Sequence, residues 1–227
     1  MEKINIKINY NNRKIYIGRK EEFGRVQFEV FPKIREAVKM FKSKNINKIL
    51  DLGCGLGVNS IYLAQKGFQI CAADICEKYT NIVENKAEKV ELKNIECMIF
   101  DMKELPFNDK SFDGIICIST LSHGTFDDIR NYINEIYRVL KLKGMLITDI
   151  LSIEDDSFGI GEQIEKNTFI GGRDGEENIP HHYTNEEEMR ELFSRFSEVV
   201  VNKSEYIFDL GKDKEFVSKV FDIKAIK

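Results

Sequence analysis

The chain has 227 residues, of which 42% are hydrophobic, so it is long enough for a single domain with a sizeable core. Its formal net charge is −4 and no basic cluster stands out, which disfavours a nucleic-acid partner because nucleic acids bind to positively charged surfaces. No stretch has the apolar length of a signal-peptide core or a membrane span, so we expect a cytoplasmic protein without a membrane partner.

The cysteines are odd in number and lack the CxxC spacing of a metal site. We therefore expect reduced, mostly buried thiols and no metal ion. They are Cys54, Cys71, Cys76, Cys97 and Cys117.

Residues 1–45 form the first predicted segment. INIKI and KIYIG alternate apolar and polar residues on either side of NYNNR, which predicts a hairpin within residues 1–20. Pro32 suits the first position of a helix. The apolar face of that helix consists of Ile34, Ala37, Val38 and Phe41.

The predicted core, residues 46–151, begins with KILDLGCGLGVNS at residues 48–60. Its short apolar run predicts a buried parallel strand. Gly53, Gly55 and Gly57 then allow a sharp turn with no Cβ between the backbone and a ligand. Helical periodicity resumes at Val58, so free N–H groups face the same spot. The pattern indicates a nucleotide-type cradle.

Asp51 decides which ligand this cradle fits. It lies at the strand's carboxyl end, where it would repel a phosphate and attract an ammonium group. No Lys-Ser/Thr pair follows the glycines, which excludes an ATPase-type phosphate loop. S-adenosylmethionine fits because it carries an ammonium and a sulfonium and has no phosphate.

Two further acids end apolar runs, at intervals of about one strand-plus-helix unit. Asp74 follows residues 70–73, and Asp101 follows residues 95–100. In a doubly wound sheet both would lie with Asp51 in the crevice at the strands' carboxyl ends. We expect Asp74 to accept hydrogen bonds from the ribose hydroxyls and Asp101 from the adenine amino group.

Three more core elements follow the last of these acids. FDGIICI at residues 112–118 predicts a central buried strand, and Asp113 at its start has a structural role. Asp127 or Asp128 caps the next predicted helix, whose end is favoured by Lys141 and Lys143 and fixed by Gly144. A fifth strand covers residues 145–151.

Residues 152–183 interrupt this regular order with little periodicity. A compact domain rarely keeps so long a loop unless it is functional, so we predict a substrate-facing lid. Residues 184–227 then contain a capping box of Thr184 and Glu187, a helix, and strands near 197–209 and 214–226.

Five blocks carry a resemblance to a known family: ILDLGCGLG, AADI, FDMKELPF, SFDGIICISTLSH and YRVLKLKGMLITD. In this order they resemble the class I S-adenosylmethionine-dependent methyltransferases over about residues 48–152. The resemblance implies a single α/β domain with a doubly wound, seven-stranded, mostly parallel sheet of order 3-2-1-4-5-7-6, an antiparallel last strand and helices on both faces. It implies S-adenosyl-L-methionine as the cofactor and S-adenosyl-L-homocysteine as the product. The expected cofactor-binding residues are Asp51, Gly53, Cys54, Gly55, Gly57, Asn59, Asp74, Ile75, Asp101, Met102, Ile118 and Ser119.

The resemblance also suggests where the methyl acceptor lies. Segments before the first core strand often fold over the pocket in this family, and His181-His182-Tyr183 resembles its pre-helix substrate segment. The candidates for acceptor contact are Tyr16, Arg25, Phe28, His123, Asp149, His182 and Tyr183.

Methyl transfer from a sulfonium is a direct displacement, so the enzyme mainly aligns the reactants in a water-poor pocket. Residues 118–123 lie where the methyl group would point. His123, the only histidine there, is the catalytic candidate, through substrate contact or proton acceptance, with a packing role as the alternative. The segment lacks the Pro-Pro-aromatic and Pro-Cys patterns, which argues against adenine, glutamine and cytosine-ring methylation.

The sequence thus predicts a methyltransferase acting on a small molecule. Methylation of RNA or protein is one alternative, and a module that binds the cofactor or its product without turnover is another. A dehydrogenase is disfavoured by Asp51. Monomer and homodimer remain open.

Overall fold

The computed structural model describes residues 5–22, 25–211 and 214–227. Its helices are α1 (Pro32–Ser43), α2 (Val58–Gln65), α3 (Glu77–Lys89), α4 (Phe126–Val139) and α5 (Glu186–Leu192). Its strands are β1 (Asn5–Ile17), β2 (Arg19–Glu22), β3 (Arg25–Phe28), β4 (Lys48–Leu52), β5 (Gln69–Asp74), β6 (Ile95–Ile99), β7 (Phe112–Cys117), β8 (Leu140–Leu151), β9 (Glu162–Glu165), β10 (Thr168–Ile170), β11 (His181–His182), β12 (Glu198–Gly211) and β13 (Lys214–Ile226).

One mixed sheet organises the molecule. Its eight strands lie in the order β6-β5-β4-β7-β8-β13-β12-β1. The five strands from β6 to β8 are parallel, and β13 is antiparallel to both of its neighbours. The seven-stranded sheet expected from the resemblance is therefore corrected to eight strands, because β1 pairs in parallel with β12 and covers its outer edge.

The N-terminal segment explains the extra strand. Residues 5–17 form one strand rather than the predicted hairpin, and the polar NYNNR is accommodated by a register irregularity between Asn9 and Arg13. A hairpin does exist next to it, formed by β2 and β3.

Helices cover both faces of the sheet, as expected for a doubly wound fold. One apolar cluster includes Ile34 of α1, Leu63 of α2 and Val83 of α3. The other includes Ile133 of α4 and Met189 of α5. Among the described residues, no helix is long and apolar enough to cross a membrane.

The helix caps differ from the predicted ones by one to three residues. Thr125 caps α4 in a capping box with Asp128, so Asp128 is the N3 partner rather than the cap. The capping box of α5 is Asn185 with Glu188 instead of Thr184 with Glu187, because Thr184 is fully buried and its backbone bonds to Leu151. The end of α4 also differs: it stops at Val139, and Lys141 already belongs to β8.

Residues 152–183 are not an irregular loop. They contain the three-stranded sheet β11-β10-β9, built around Phe158, Phe169 and Tyr183, whose rings pack edge to face. An isolated bridge between His123 and His181 joins this insertion to the segment after β7. The insertion therefore lies against the segment that follows the fourth core strand.

Candidate cofactor and acceptor site

The glycines of the turn after β4 have different surroundings. Gly53, Gly55 and Gly57 adopt φ values of 74°, 50° and 74°, which disfavour other residues. A Cβ at Gly53 would lie 2.4 Å from Cγ2 of Thr120, so this glycine allows close packing. A Cβ at Gly55 would meet no described atom within 4 Å. Gly55 thus borders the open space that a ligand can enter.

Asp74 connects the turn to the end of β5. Its carboxylate accepts hydrogen bonds from the backbone N–H of Gly55 (2.9 Å) and of Cys76 (3.0 Å). The side chain is partly exposed. It therefore offers a negative charge beside the open face of Gly55.

Asp51 is less accessible than the sequence suggested. It is 2% exposed and accepts a hydrogen bond from the hydroxyl of Ser60 on α2. Burial, together with the charge of Asp74, raises the pKa of Asp51 to about 7. Asp51 therefore lies beneath the turn, and its influence on a cationic ligand is electrostatic.

The remaining cofactor candidates surround the same edge of the sheet. Asp101 is exposed and accepts from the backbone N–H of Lys103 at 2.9 Å. Ile75 is 68% exposed directly after Asp74, where an apolar ring could cover it. The buried Oδ1 of Asn59 has no hydrogen-bond partner among the described residues. The backbone N–H of Cys54 donates to the carbonyl of Ala73 at 2.9 Å.

These features fit S-adenosylmethionine. An open glycine cradle, an orphaned amide oxygen, an exposed isoleucine and successive carboxylates suit a cationic, phosphate-free nucleoside. A dinucleotide would bring its pyrophosphate next to Asp51.

The segment after β7 is held in place by a buried residue of β8. Ser119 has a φ of 54°, and its backbone N–H donates to Asp149 at 2.8 Å. Asp149 is buried and forms an ion pair with Lys33, which also lies 3.0 Å from Asp222. Burial alone would lower the pKa of Lys33, but the two carboxylates raise it well above its ordinary value. Asp149, a candidate for acceptor contact, has internal partners, and its contact with an acceptor stays a prediction.

His182 and Tyr183 also have internal partners. His182 is buried, with Nδ1 2.8 Å from the hydroxyl of Thr168 and its ring packed against Phe126. Tyr183 is fully buried and its hydroxyl bonds to Ser157 at 2.8 Å. Both side chains are buried in the insertion's core, and their predicted contact with an acceptor stays a prediction.

The N-terminal candidates lie in a different region. Tyr16 is 68% exposed and borders a cleft with Glu29 and Pro32. Phe28 packs against Phe208 with ring centroids 4.9 Å apart. The side chain of Arg25 lies outside the described residues. Their predicted contact with an acceptor stays a prediction.

His123 lies beside two residues that the sequence did not connect with it. Its Nε2 is 3.6 Å from Glu176, whose other carboxylate oxygen is 2.9 Å from Nε2 of His181. The two imidazole rings stand edge to face, 4.9 Å apart. Burial lowers the pKa of His123 to about 4, so this imidazole is neutral at pH 7.

Lys33 and Glu176 are the residues that sequence reasoning missed. Lys33 lies four positions before Ala37, so the helical period already placed it on the buried side of α1. Glu176 had no such signal, because only the fold of the insertion brings it to His123.

Comparison with known proteins shows that the core is similar to methyltransferases. Residues 50–148 match a family model described as a methyltransferase domain. YqeM of Bacillus subtilis, provisionally named a methyltransferase, is 35% identical over 124 residues, which are 54% of this chain and 48% of YqeM. A demethylmenaquinone methyltransferase of Thermotoga maritima is 34% identical over 117 residues, 50% of this chain and 47% of that protein. The chain thus spans about half the length of the curated relatives it matches.

Solved structures extend the likeness over most of the chain. A SAM-dependent methyltransferase from Methanosarcina mazei superimposes with a TM-score of 0.67 at 23% identity, covering 87% of this chain and 98% of that one. At this identity the likeness shows the fold.

Proposed function

We propose that the protein, whose residues 50–148 match a methyltransferase domain, is a class I S-adenosylmethionine-dependent methyltransferase that transfers the cofactor's methyl group to a small-molecule acceptor by direct displacement. The cofactor of such domains is S-adenosyl-L-methionine. The observation that carries the proposal is the open face of Gly55 next to the carboxylate of Asp74.

Each cofactor residue has a proposed task. Asp74 accepts hydrogen bonds from the ribose hydroxyls, Asp101 from the adenine amino group, and the backbone of Ile118 and Ser119 borders the methionine part. The carboxylate of Asp51, beneath the glycine turn, supplies negative charge near the cationic cofactor when it is ionised. When bound, the cofactor supplies an electrophilic methyl group on a sulfonium, and the protein's residues orient it and exclude water.

A small acceptor is supported by two observations. The insertion joins the segment after β7 through the pairing of His123 with His181, so it narrows the approach to that segment. One relative is named a demethylmenaquinone methyltransferase, and its acceptor belongs to the small-molecule class. We assign acceptor contact to His123 rather than proton acceptance, because a pKa near 4 makes it a weak base at pH 7.

The test is a screen of metabolite classes, RNA and protein extracts with S-adenosylmethionine carrying a radiolabelled methyl group. We expect label in a small-molecule fraction, and less label with the Asp74→Ala variant at the same sub-saturating cofactor concentration. Label in RNA or protein would contradict the proposed acceptor class. Tight cofactor binding without label in any fraction would favour a binding module.

A further inference from the structure

His123, Glu176 and His181 form a cluster that the proposed methyl transfer does not use as a unit. Their ligand atoms lie within 4.8 Å of one another, the side chain of His181 is 2% exposed, and those of His123 and Glu176 are 27% and 36% exposed. The cluster is therefore buried on the side of His181 and partly open to solvent on the side of His123 and Glu176.

The fold, rather than chance proximity, brings the two histidines together. His123 follows β7 and His181 begins β11, and the two pair in an antiparallel bridge. The bridge is fixed by N–H donation from Gly124 to Pro180 (2.8 Å) and from His182 to Ser122 (2.9 Å). Both imidazoles consequently project from a rigid backbone frame.

The distances suit a first-row divalent cation. Ligands about 2.1 Å from an ion lie roughly 3.0–3.4 Å apart in octahedral or tetrahedral geometry. Glu176 lies 2.9 Å from His181 through one carboxylate oxygen and 3.6 Å from His123 through the other, and the three ligand atoms lie within 4.8 Å of one another. Rotation of the partly exposed His123 would bring them to ligand spacing. Two imidazoles with one carboxylate are the ligand set of open zinc sites and of 2-His-1-carboxylate iron sites.

We propose that His123, Glu176 and His181 bind one divalent first-row metal ion, with Zn²⁺ as the preferred occupant, and leave coordination positions open to the methyl acceptor. This revises the expectation of no metal. The sequence placed two adjacent histidines together, whereas the structure separates them: His182 points into the core, and Glu176 takes its place beside His181.

Arg173 is the charged neighbour that a cation would encounter. Its Nε lies 3.7 Å from Glu176, but its guanidinium also bonds to Ser157 at 3.0 Å and lies 3.4 Å from Asp155. Arg173 therefore has other partners when Glu176 turns to an ion.

The metal site also narrows the acceptor class, and this step rests on the proposed function. An acceptor that fills an open position of the ion needs a donor atom with a free lone pair, such as a hydroxyl or thiol group or an unprotonated nitrogen, so groups without such a donor are disfavoured. Coordination would hold that donor at the segment after β7.

A cobalt titration of the chelator-treated full-length protein tests the site without any methyl donor, so its outcome is independent of the methyl-transfer screen. We expect one equivalent of Co²⁺ to produce visible d–d bands, and Zn²⁺ to displace it. Glu176→Gln and His123→Gln should each weaken Co²⁺ binding by roughly tenfold or more, since each removes one of three ligands. Glu177→Gln makes the same substitution at the exposed residue next to Glu176, and this variant should bind Co²⁺ as tightly as the wild type.

Thermal melts followed by circular dichroism verify that each variant is folded. The proposal is overturned if the folded wild type gives no d–d bands at millimolar Co²⁺, or if Glu176→Gln and His123→Gln bind Co²⁺ as tightly as Glu177→Gln. Bands with strong thiolate charge-transfer absorption would place the ion on a cysteine and would equally overturn it.

Discussion

Gly53 and Gly55 share a left-handed backbone conformation but differ in what a methyl group would meet. Gly53→Ala should lower the free energy of unfolding by about 3 kcal/mol, because backbone strain adds to a collision with Thr120. Gly55→Ala should lower it by about 1 kcal/mol and instead weaken cofactor binding, since its methyl group enters the ligand's space. Urea denaturation and calorimetry measure the two effects. Unchanged cofactor affinity in Gly55→Ala would remove this residue from the site.

Asp74 is the residue on which cofactor binding should depend most. Asp74→Ala should weaken it by about 1–3 kcal/mol, through loss of a charge-assisted hydrogen-bond site. Calorimetric titration with S-adenosylhomocysteine measures this loss, and Asp109→Ala, an exposed acid in the turn before β7, is the control. Equal affinities of the two variants would contradict the assignment of Asp74.

Asp51 gives the stability of the protein a specific pH dependence. Its folded pKa of about 7 lies above the value of about 3.9 in an unfolded chain, so its contribution is complete below about pH 4 and is lost as the pH rises through 7. Between pH 5 and pH 8 the wild type should therefore lose about 2 kcal/mol more stability than Asp51→Asn. Urea denaturation at both pH values measures the difference. Parallel losses in the two proteins would show that Asp51 ionises normally.

Residue-level prediction succeeded where the backbone dictates the residue type. The glycine turn and its end-of-strand acids follow from local spacing, so Gly53, Gly55 and Asp74 lie where the sequence placed them. Asp149 and His182 could not be assigned in this way, because their partners Lys33 and Thr168 are remote or belong to another strand.

At the scale of elements, α1 is joined to the sheet by a buried charge network. Lys33 bridges Asp149 of β8 and Asp222 of β13, and Tyr206 of β12 donates to Asp222 at 2.9 Å. Because Asp149 also accepts from the N–H of Ser119, the network connects the N-terminal helix to the segment that we propose to border the methionine part of the cofactor.

Removing the cation from this network should be costly. Lys33→Met should lower the free energy of unfolding by about 3–5 kcal/mol at pH 7, since two carboxylates would remain buried without a counter-charge. Chemical denaturation measures the deficit, with Lys39→Met on the exposed side of α1 as the control. A deficit no larger than that of Lys39→Met would refute the bridging role.

Elements with a clear period were predicted within a few residues, whereas long-range pairings were not. Helix α2 and strands β5 and β7 follow from local pattern. The pairing of β1 with β12 joins residues nearly two hundred positions apart, and the insertion's sheet depends on contacts of Phe158, Phe169 and Tyr183 that no local period reveals.

At the scale of the whole molecule, the candidate cofactor and acceptor residues lie at one edge of the sheet. The parallel strands β6, β5, β4, β7 and β8 end there, so residues distant in sequence meet above them. The N-terminal helix fixes this edge from one side, and the insertion closes on it from the other through His123 and His181. Cofactor, acceptor and the proposed metal ion would all bind at this edge.

The most direct test of this account is a parallel calorimetric titration of the purified full chain with S-adenosylmethionine, S-adenosylhomocysteine and NAD⁺. We expect one equivalent of each adenosyl-sulfur compound to bind, and no binding of the dinucleotide, because the partly ionised Asp51 beneath the glycine turn would repel a pyrophosphate. Binding of NAD⁺ without binding of either adenosyl compound would contradict the account.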